Sequence, residues 1–174
     1  MKKDRVLRIV LIPVFAVLTA VGAQISIPLG TVPVTLQMLF VFLAGFFLNP
    51  MDALTAMVLY LALGVIGIPV FANFSAGFQH LVGPTAGYLW AFPIAAFLIS
   101  YLRKINYFLA GITGLAVVYL LGWSVLGLFI KNFSKAFLVG VLPFIGIDFV
   151  KMILALYASK KLEKIMEGKL NEEA

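Results

Sequence analysis

The chain has 174 residues, 63% of them hydrophobic and only 11% charged, with a mean hydropathy of +1.12. A soluble globular domain is about 45–50% apolar and about 25% charged, so the solvent for most of this chain is lipid. The sequence has no cysteine and one histidine, which excludes disulfides and thiolate metal sites. Its net charge of +6 comes from basic residues at the ends of apolar segments, where topology signals sit, and not from a nucleic-acid patch.

A helix needs roughly 20 residues to cross the hydrocarbon core, and six apolar segments approach that length. The first covers about Leu7–Ile27, after the basic start MKKDR. The second, Val34–Leu48, closes at the turn Asn49-Pro50-Met51-Asp52, and the third covers Asp52–Ile66 and ends at Gly67-Ile68-Pro69. The fourth is Gly83–Leu102, closed by Arg103-Lys104; the fifth is Tyr107–Ile130 and the last Phe144–Lys161. The second and third are short, so either they sit upright or part of the neighbouring loops shares the membrane depth. Two loops look structured: Pro28–Pro33 (PLGTVP) and the aromatic-rich Pro69–Val82. Non-helical backbone near a membrane persists only where protein buries it or where it lines a cavity. The second loop reads either as a lid or as a headgroup-level loop anchored by Phe71, Phe74 and Phe78. The fold class is therefore all-α, a polytopic bundle of six transmembrane helices in a single domain, 1–174.

Orientation follows from the lysines and arginines. With both termini inside, the inner side holds Lys2, Lys3, Arg5, Arg8, Arg103, Lys104, Lys160, Lys161, Lys164 and Lys169, and the outer side only Lys131 and Lys135. Ten against two is a positive-inside bias for a multi-pass protein of the cell membrane with cytoplasmic termini. It places both structured loops outside. Val21-Gly22-Ala23 is small enough for signal cleavage, but the preceding stretch is long for a signal core and contains Pro13, so a retained helix is expected.

Asp148 and Lys151, in GIDFVKMIL (146–154), are ionisable residues inside a predicted span. Each costs about 2.5–3.5 kcal/mol near a helix centre on insertion scales. Their spacing of three places them on one helical face, where they partly neutralise each other. One reading is a ligand site: a carboxylate accepts N–H bonds and an ammonium donates to a carbonyl, which suits a cyclic urea or amide and also other polar heterocycles. The other is a self-neutralising pair near the headgroups, with Lys151 snorkelling. In the first segment Ala16, Ala20 and Ala23 form a stripe of small residues, open to close approach by a partner helix or by the chain's own helices. GPTAGYL (83–89) lacks the Lys-Ser/Thr ending of a phosphate loop. His80 has no companions for a metal site and reads as surface or loop packing. No nucleophile–base pair suggests an enzyme.

In combination and order, TVPVTLQ (31–37), GIPVFA (67–72), GPTAGYLWAF (83–92) and Asp148-x-x-Lys151 resemble the BioY family, the biotin-specific S components of energy-coupling-factor (ECF) transporters. The resemblance extends from the first segment to Lys151. It implies a biotin-binding membrane subunit without a cofactor. Such a subunit captures the vitamin outside, associates with a transmembrane coupling protein and two cytoplasmic ATPases, and topples in the membrane to deliver it. Carried over by motif, Asp148 and Lys151 face the ureido ring, Thr35, Gln37 and Tyr88 line the pocket, and Asn73 and Gln79 offer polar contacts from the outer loop. Phe71, Tyr88 and Trp90 are candidates for an aromatic wall. The stripe Ala16, Ala20 and Ala23 resembles the alanine motif with which such subunits dock. The outer loop departs from the family's glycine-rich pattern, leaving Lys135 or a loop amide as candidates for the biotin carboxylate. The alternatives are an S component for another vitamin and a non-transport membrane scaffold.

Overall fold

In a computed structural model, which describes residues 2–28 and 30–172 and the side chains of 6 and 8–165 apart from 29, the chain is a bundle of helices with one short hairpin. Helix α1 (Lys2–Gln24) leads into the strands β1 (Ser26–Ile27) and β2 (Val34–Thr35), which pair antiparallel with Ser26 opposite Thr35. Helices α2 (Gln37–Phe47), α3 (Pro50–Val65), α4 (Ala86–Leu102), α5 (Tyr107–Ile130), α6 (Phe133–Gly140) and α7 (Ile145–Glu172) follow. The six expected segments appear as α1 to α5 and α7, with α5 having the expected bounds. The eight-residue α6 is an addition. It is too short for a hydropathy window to detect, but its N-cap is readable: Asn132 accepts from the Lys135 N–H at 2.9 Å.

Local chemistry sets the breaks. Pro50 occupies the first turn of α3 after Asn49, where its missing N–H costs nothing. At the other end of α3, Gly67 takes φ +102 and the Ile68 N–H returns to the Leu63 carbonyl at 3.1 Å, a Schellman closure that needs a left-handed residue. Asn106 caps α5 by accepting from the N–H groups of Phe108 and Leu109.

Side-chain bonds sort the turns into two ends. Arg8 grips the buried Asp52 carboxylate through both oxygens, with its shortest bond at 2.7 Å. This joins the start of α1 to the α2–α3 turn. Ser100 donates to the Leu48 carbonyl at 2.6 Å. Arg103 and Tyr107 both reach Glu163, which ties the α4–α5 turn to the later part of α7. The hairpin, the 66–85 connection and α6 lie at the opposite end. Helices α1 to α5 and α7 therefore run alternately between a basic end and an opposite end.

The core is built from Phe42, Phe46, Met57, Tyr60, Ile99 and Met152, all fully buried. Outside it the helices remain apolar: Val10, Val14, Val17, Leu120, Leu128 and Leu154 are all exposed. An outer surface of this kind faces acyl chains. By length and composition α5 passes as a single span among the described residues, and α6 with α7 passes as a pair bent by 48°. Helices α3 and α4, with 16 and 17 residues, rise roughly 24–26 Å, and α2 is shorter. The hairpin and the 66–85 connection adjoin these shorter helices at the non-basic end.

Helices α4 and α5 approach closely because glycines line their seam. A Cβ on Gly87 would collide with the Leu121 carbonyl, and one on Gly122 with the Tyr88 ring. In lipid, packing of this kind replaces the hydrophobic force as the glue between helices. Gly87→Val is therefore expected to lower detergent-solubilised stability by about 1–3 kcal/mol, read as a fall in thermal midpoint. Gly146→Ala, where nothing lies within 4 Å of the new methyl, is expected not to lower it.

Candidate functional site

The end opposite the basic one contains a cavity of about 340 Å³, within the size range of small-molecule sites. Its floor is charged. Asp148 lies in the first turn of α7, where the helix dipole favours a carboxylate. One turn later Lys151 donates to Asp148 Oδ1 at 2.6 Å and to the Thr35 carbonyl at 2.7 Å. Both residues are buried, at 4% and 5% exposure, so Lys151 does not snorkel. Tyr119 of α5 donates to the second carboxylate oxygen at 2.9 Å. The pair is held from three directions, by α7 itself, by β2 and by α5.

The hairpin and the start of α2 build the adjoining wall. The β1–β2 pairing places Thr35 beside α7, and the Thr35 hydroxyl donates to Gln37 Oε1 at 2.8 Å. Gln37 Nε2 in turn donates to the Tyr60 hydroxyl of α3. Capacity remains for a ligand. Of the three N–H donors of Lys151, two are used among the described residues; each Asp148 oxygen has accepted one bond and retains a lone pair; Gln37 keeps one amide hydrogen. One donor and one acceptor thus converge beside each other on the floor, the complement of a group with a carbonyl flanked by N–H.

The mouth comes from the 66–85 connection. Two 3-10 turns, Ala72–Phe74 and Phe78–Leu81, give structure to this loop, as its sequence led one to expect. Phe71 packs on Gly64 and edge-on against Tyr60, with ring centroids 5.6 Å apart. Gln24, the last residue of α1, accepts from the Phe74 N–H at 2.8 Å and donates to the Phe71 carbonyl at 3.2 Å. Apolar side chains of Met38, Leu89, Phe92, Val118 and Phe144 complete the lining.

Six of the sequence-derived ligand candidates come together here: Asp148, Lys151, Thr35, Gln37, Tyr88 and Asn73 all line the cavity. Tyr88 also donates to the Gly140 carbonyl at 2.7 Å, which fixes α6 to α4. Asn73 accepts from Ser26 at 2.7 Å. Gln79 does not join them: it is exposed and donates to the Ala76 carbonyl of its own loop at 2.8 Å. Phe71 is part of the wall, whereas Trp90 is 45% exposed on the outer surface. Lys135 is exposed on α6 and does not line the cavity. The alanine stripe needs correction. Ala16 and Ala23 are fully buried and Ala20 half-buried, so the stripe packs against the chain's own helices and is not a surface for docking. Spacing alone does not tell an inward stripe from an outward one.

Sequence reasoning missed Tyr119, Tyr60 and the mouth position of His80. The tyrosines were legible in principle, since a hydroxyl inside an apolar helix needs a partner. His80 carries no local signal of its place.

The model of the BioY family matches residues 1–168. A probable biotin transporter BioY of Pyrococcus horikoshii is 48% identical over 153 residues, covering 88% of this chain and 94% of that protein. The biotin transporter BioY of Thermotoga maritima is 43% identical over 157 residues, covering 87% and 93%. A crystal structure of the S-component for biotin from an ECF-type ABC transporter superposes with a TM-score of 0.85 at 26% identity, covering 94% of each chain.

The buried pair makes a prediction that does not depend on any ligand. Asp148→Leu leaves the Lys151 ammonium without its counter-charge and is expected to cost about 3–5 kcal/mol. The double variant Asp148→Leu with Lys151→Met removes both charges and is expected to recover most of that loss. Thermal unfolding of the three proteins in one detergent checks both statements.

Proposed function

The chain belongs to the BioY family, and on that premise we propose that it is the biotin-binding S component of an ECF-type uptake transporter, a membrane protein and not an enzyme. The observation that carries the reading is the floor of the cavity, where Lys151 offers a free N–H beside the free lone pairs of Asp148. The ureido ring of biotin presents the matching set: its carbonyl oxygen accepts from Lys151 and a ring N–H donates to Asp148. Thr35 and Gln37 fix the pair and the ring from the side. Tyr88 and Asn73 belong to the wall, and the apolar lining takes the thiolane ring and the aliphatic tail. A dry site rejects a ligand that leaves these groups unmet, which favours biotin over a vitamin without a cyclic urea. A scaffold would have no use for buried donors and acceptors held open.

The chain acts as one substrate-binding domain, with the coupling protein and two ATPase subunits of an ECF module supplying the energy. It crosses the membrane six times with cytoplasmic termini. Two observations support this orientation: the ten-to-two distribution of basic residues, and the pinning of Arg8, Asp52, Arg103 and Glu163 at one end of the bundle. The cavity then opens outward.

Isothermal titration of the purified chain with biotin and a panel of other vitamins tests the ligand. Biotin is expected to bind alone, and Asp148→Asn or Lys151→Met to weaken it at least tenfold, about 1.4 kcal/mol. Unchanged affinity in folded variants would remove the site. The orientation is tested separately, since the chain has no native cysteine. An impermeant maleimide is expected to label Ser134→Cys in intact cells, and Lys104→Cys only after the membrane is opened.

A further inference from the structure

Biotin carries a carboxylate at the end of its tail, remote from the ureido ring, and the floor of the cavity cannot serve it. The N–H that Lys151 keeps free beside its bonds to Asp148 and the Thr35 carbonyl goes to the ureido carbonyl, and a second carboxylate there would face Asp148 itself. The counter-group belongs at the mouth, where the sequence is sparing. The two mouth segments, residues 28–36 and 66–85, contain a single ionisable side chain, His80. The exposed Lys131 and Lys135 do not line the cavity.

His80 is half-buried in the second 3-10 turn and lines the cavity. Its ring sits 5.3 Å from that of Phe71, which in turn sits 5.6 Å from Tyr60, the partner of Gln37. Two ring-to-ring steps thus separate His80 from the polar wall near the floor. Among the described residues the imidazole makes no hydrogen bond. An imidazole that lines a mostly apolar cavity without a partner keeps an N–H free for an acceptor. The ionisable groups of the packed elements do not compete. Tyr60 of α3, Tyr88 of α4 and Tyr119 of α5 are uncharged near neutral pH, and Asp148 and Lys151 of α7 neutralise each other.

From these observations we propose that His80 is the specificity-determining partner of the biotin carboxylate, binding it as the imidazolium. The assignment rests on the biotin reading above. The carboxylate and the imidazolium stabilise each other, so binding takes up a proton wherever the free imidazole is neutral. Affinity for the acid is therefore expected to be higher at pH 6 than at pH 8. Affinity for a neutral amide does not change.

The test is titration of the full chain with biotin and with biotinamide, for wild type, His80→Ala and His80→Arg, at pH 6 and pH 8. Wild type is expected to prefer biotin over biotinamide, with the preference several-fold larger at pH 6. His80→Ala is expected to weaken biotin about tenfold at pH 6 and to leave biotinamide unchanged, and His80→Arg to keep the preference without its pH dependence. Equal loss for both ligands, or a preference that survives in His80→Ala with its pH dependence, overturns the assignment. Failure of wild type to bind either ligand sinks the biotin reading itself, so the two failures are distinct.

Discussion

A carboxylate and an ammonium buried together inside a lipid-facing bundle dictate much of this architecture. Neither ion persists there alone, because removing either partner strands a charge in a low-dielectric interior. The pair is short by itself, but a contact between side chains one turn apart on α7 leaves each ion only partly satisfied. The remaining partners come from far away in the sequence: the Thr35 carbonyl of β2 and the Tyr119 hydroxyl in mid-α5. The β1–β2 hairpin has little stability of its own at two residues a strand. It is held by what it delivers, since one of its carbonyls is a ligand to the ammonium. Floor and fold are in this sense one object.

The same dielectric argument explains the backbone near the mouth. Extended and turn segments at membrane depth survive only when protein satisfies their polar groups. Gln24 does this for the 66–85 connection, accepting from Phe74 and donating to Phe71. Gly77 N–H reaches the Gly64 carbonyl at 2.8 Å. Asn73 and Phe74 are both left-handed, at φ +59 and +55. That conformation costs about 1–3 kcal/mol per residue and persists only where the surroundings impose it. A bulky aromatic held this way, with its ring exposed, marks a loop shaped for the cavity beneath it more than for its own stability.

The apolar helices were legible because lipid imposes a simple rule, a long apolar run between charged ends. The Asp148–Lys151 pair was legible because it breaks that rule. What stayed hidden depends on direction, not composition. Ala16 and Ala23 have the spacing of a docking stripe, yet they face inward, and the residues turned outward on α1 are valines such as Val10, Val14 and Val17. Gln79 and His80 are adjacent polar residues in one short turn, but only His80 faces the cavity. A 3-10 turn rotates each successive side chain by about a third of a turn, and nothing local says which will point in. Helix α6 was missed for a different reason. Eight residues do not make a span, and its place is set by Tyr88 bonding the Gly140 carbonyl, a contact 52 residues long in sequence.

Helix α1 connects the two ends of this design. Its start is clamped to the α2–α3 turn through Arg8 and Asp52, and its last residue holds the mouth connection through Gln24. Sixteen residues, roughly 24 Å of helix, separate the two contacts. Their strengths differ. The Arg8 clamp is a charge-assisted fork onto a buried carboxylate. The Gln24 contacts are neutral bonds at an exposed edge, worth about 0.5–1.5 kcal/mol each. The floor, with charged groups fixed from three elements, opens only at the cost of unpaired ions. Releasing the Asn73–Phe74 part of the mouth costs the neutral Gln24 bonds and relieves two left-handed residues. Local opening follows the cheapest route, so the rigid floor and the yielding mouth follow from one ordering of energies, set by where the charges are.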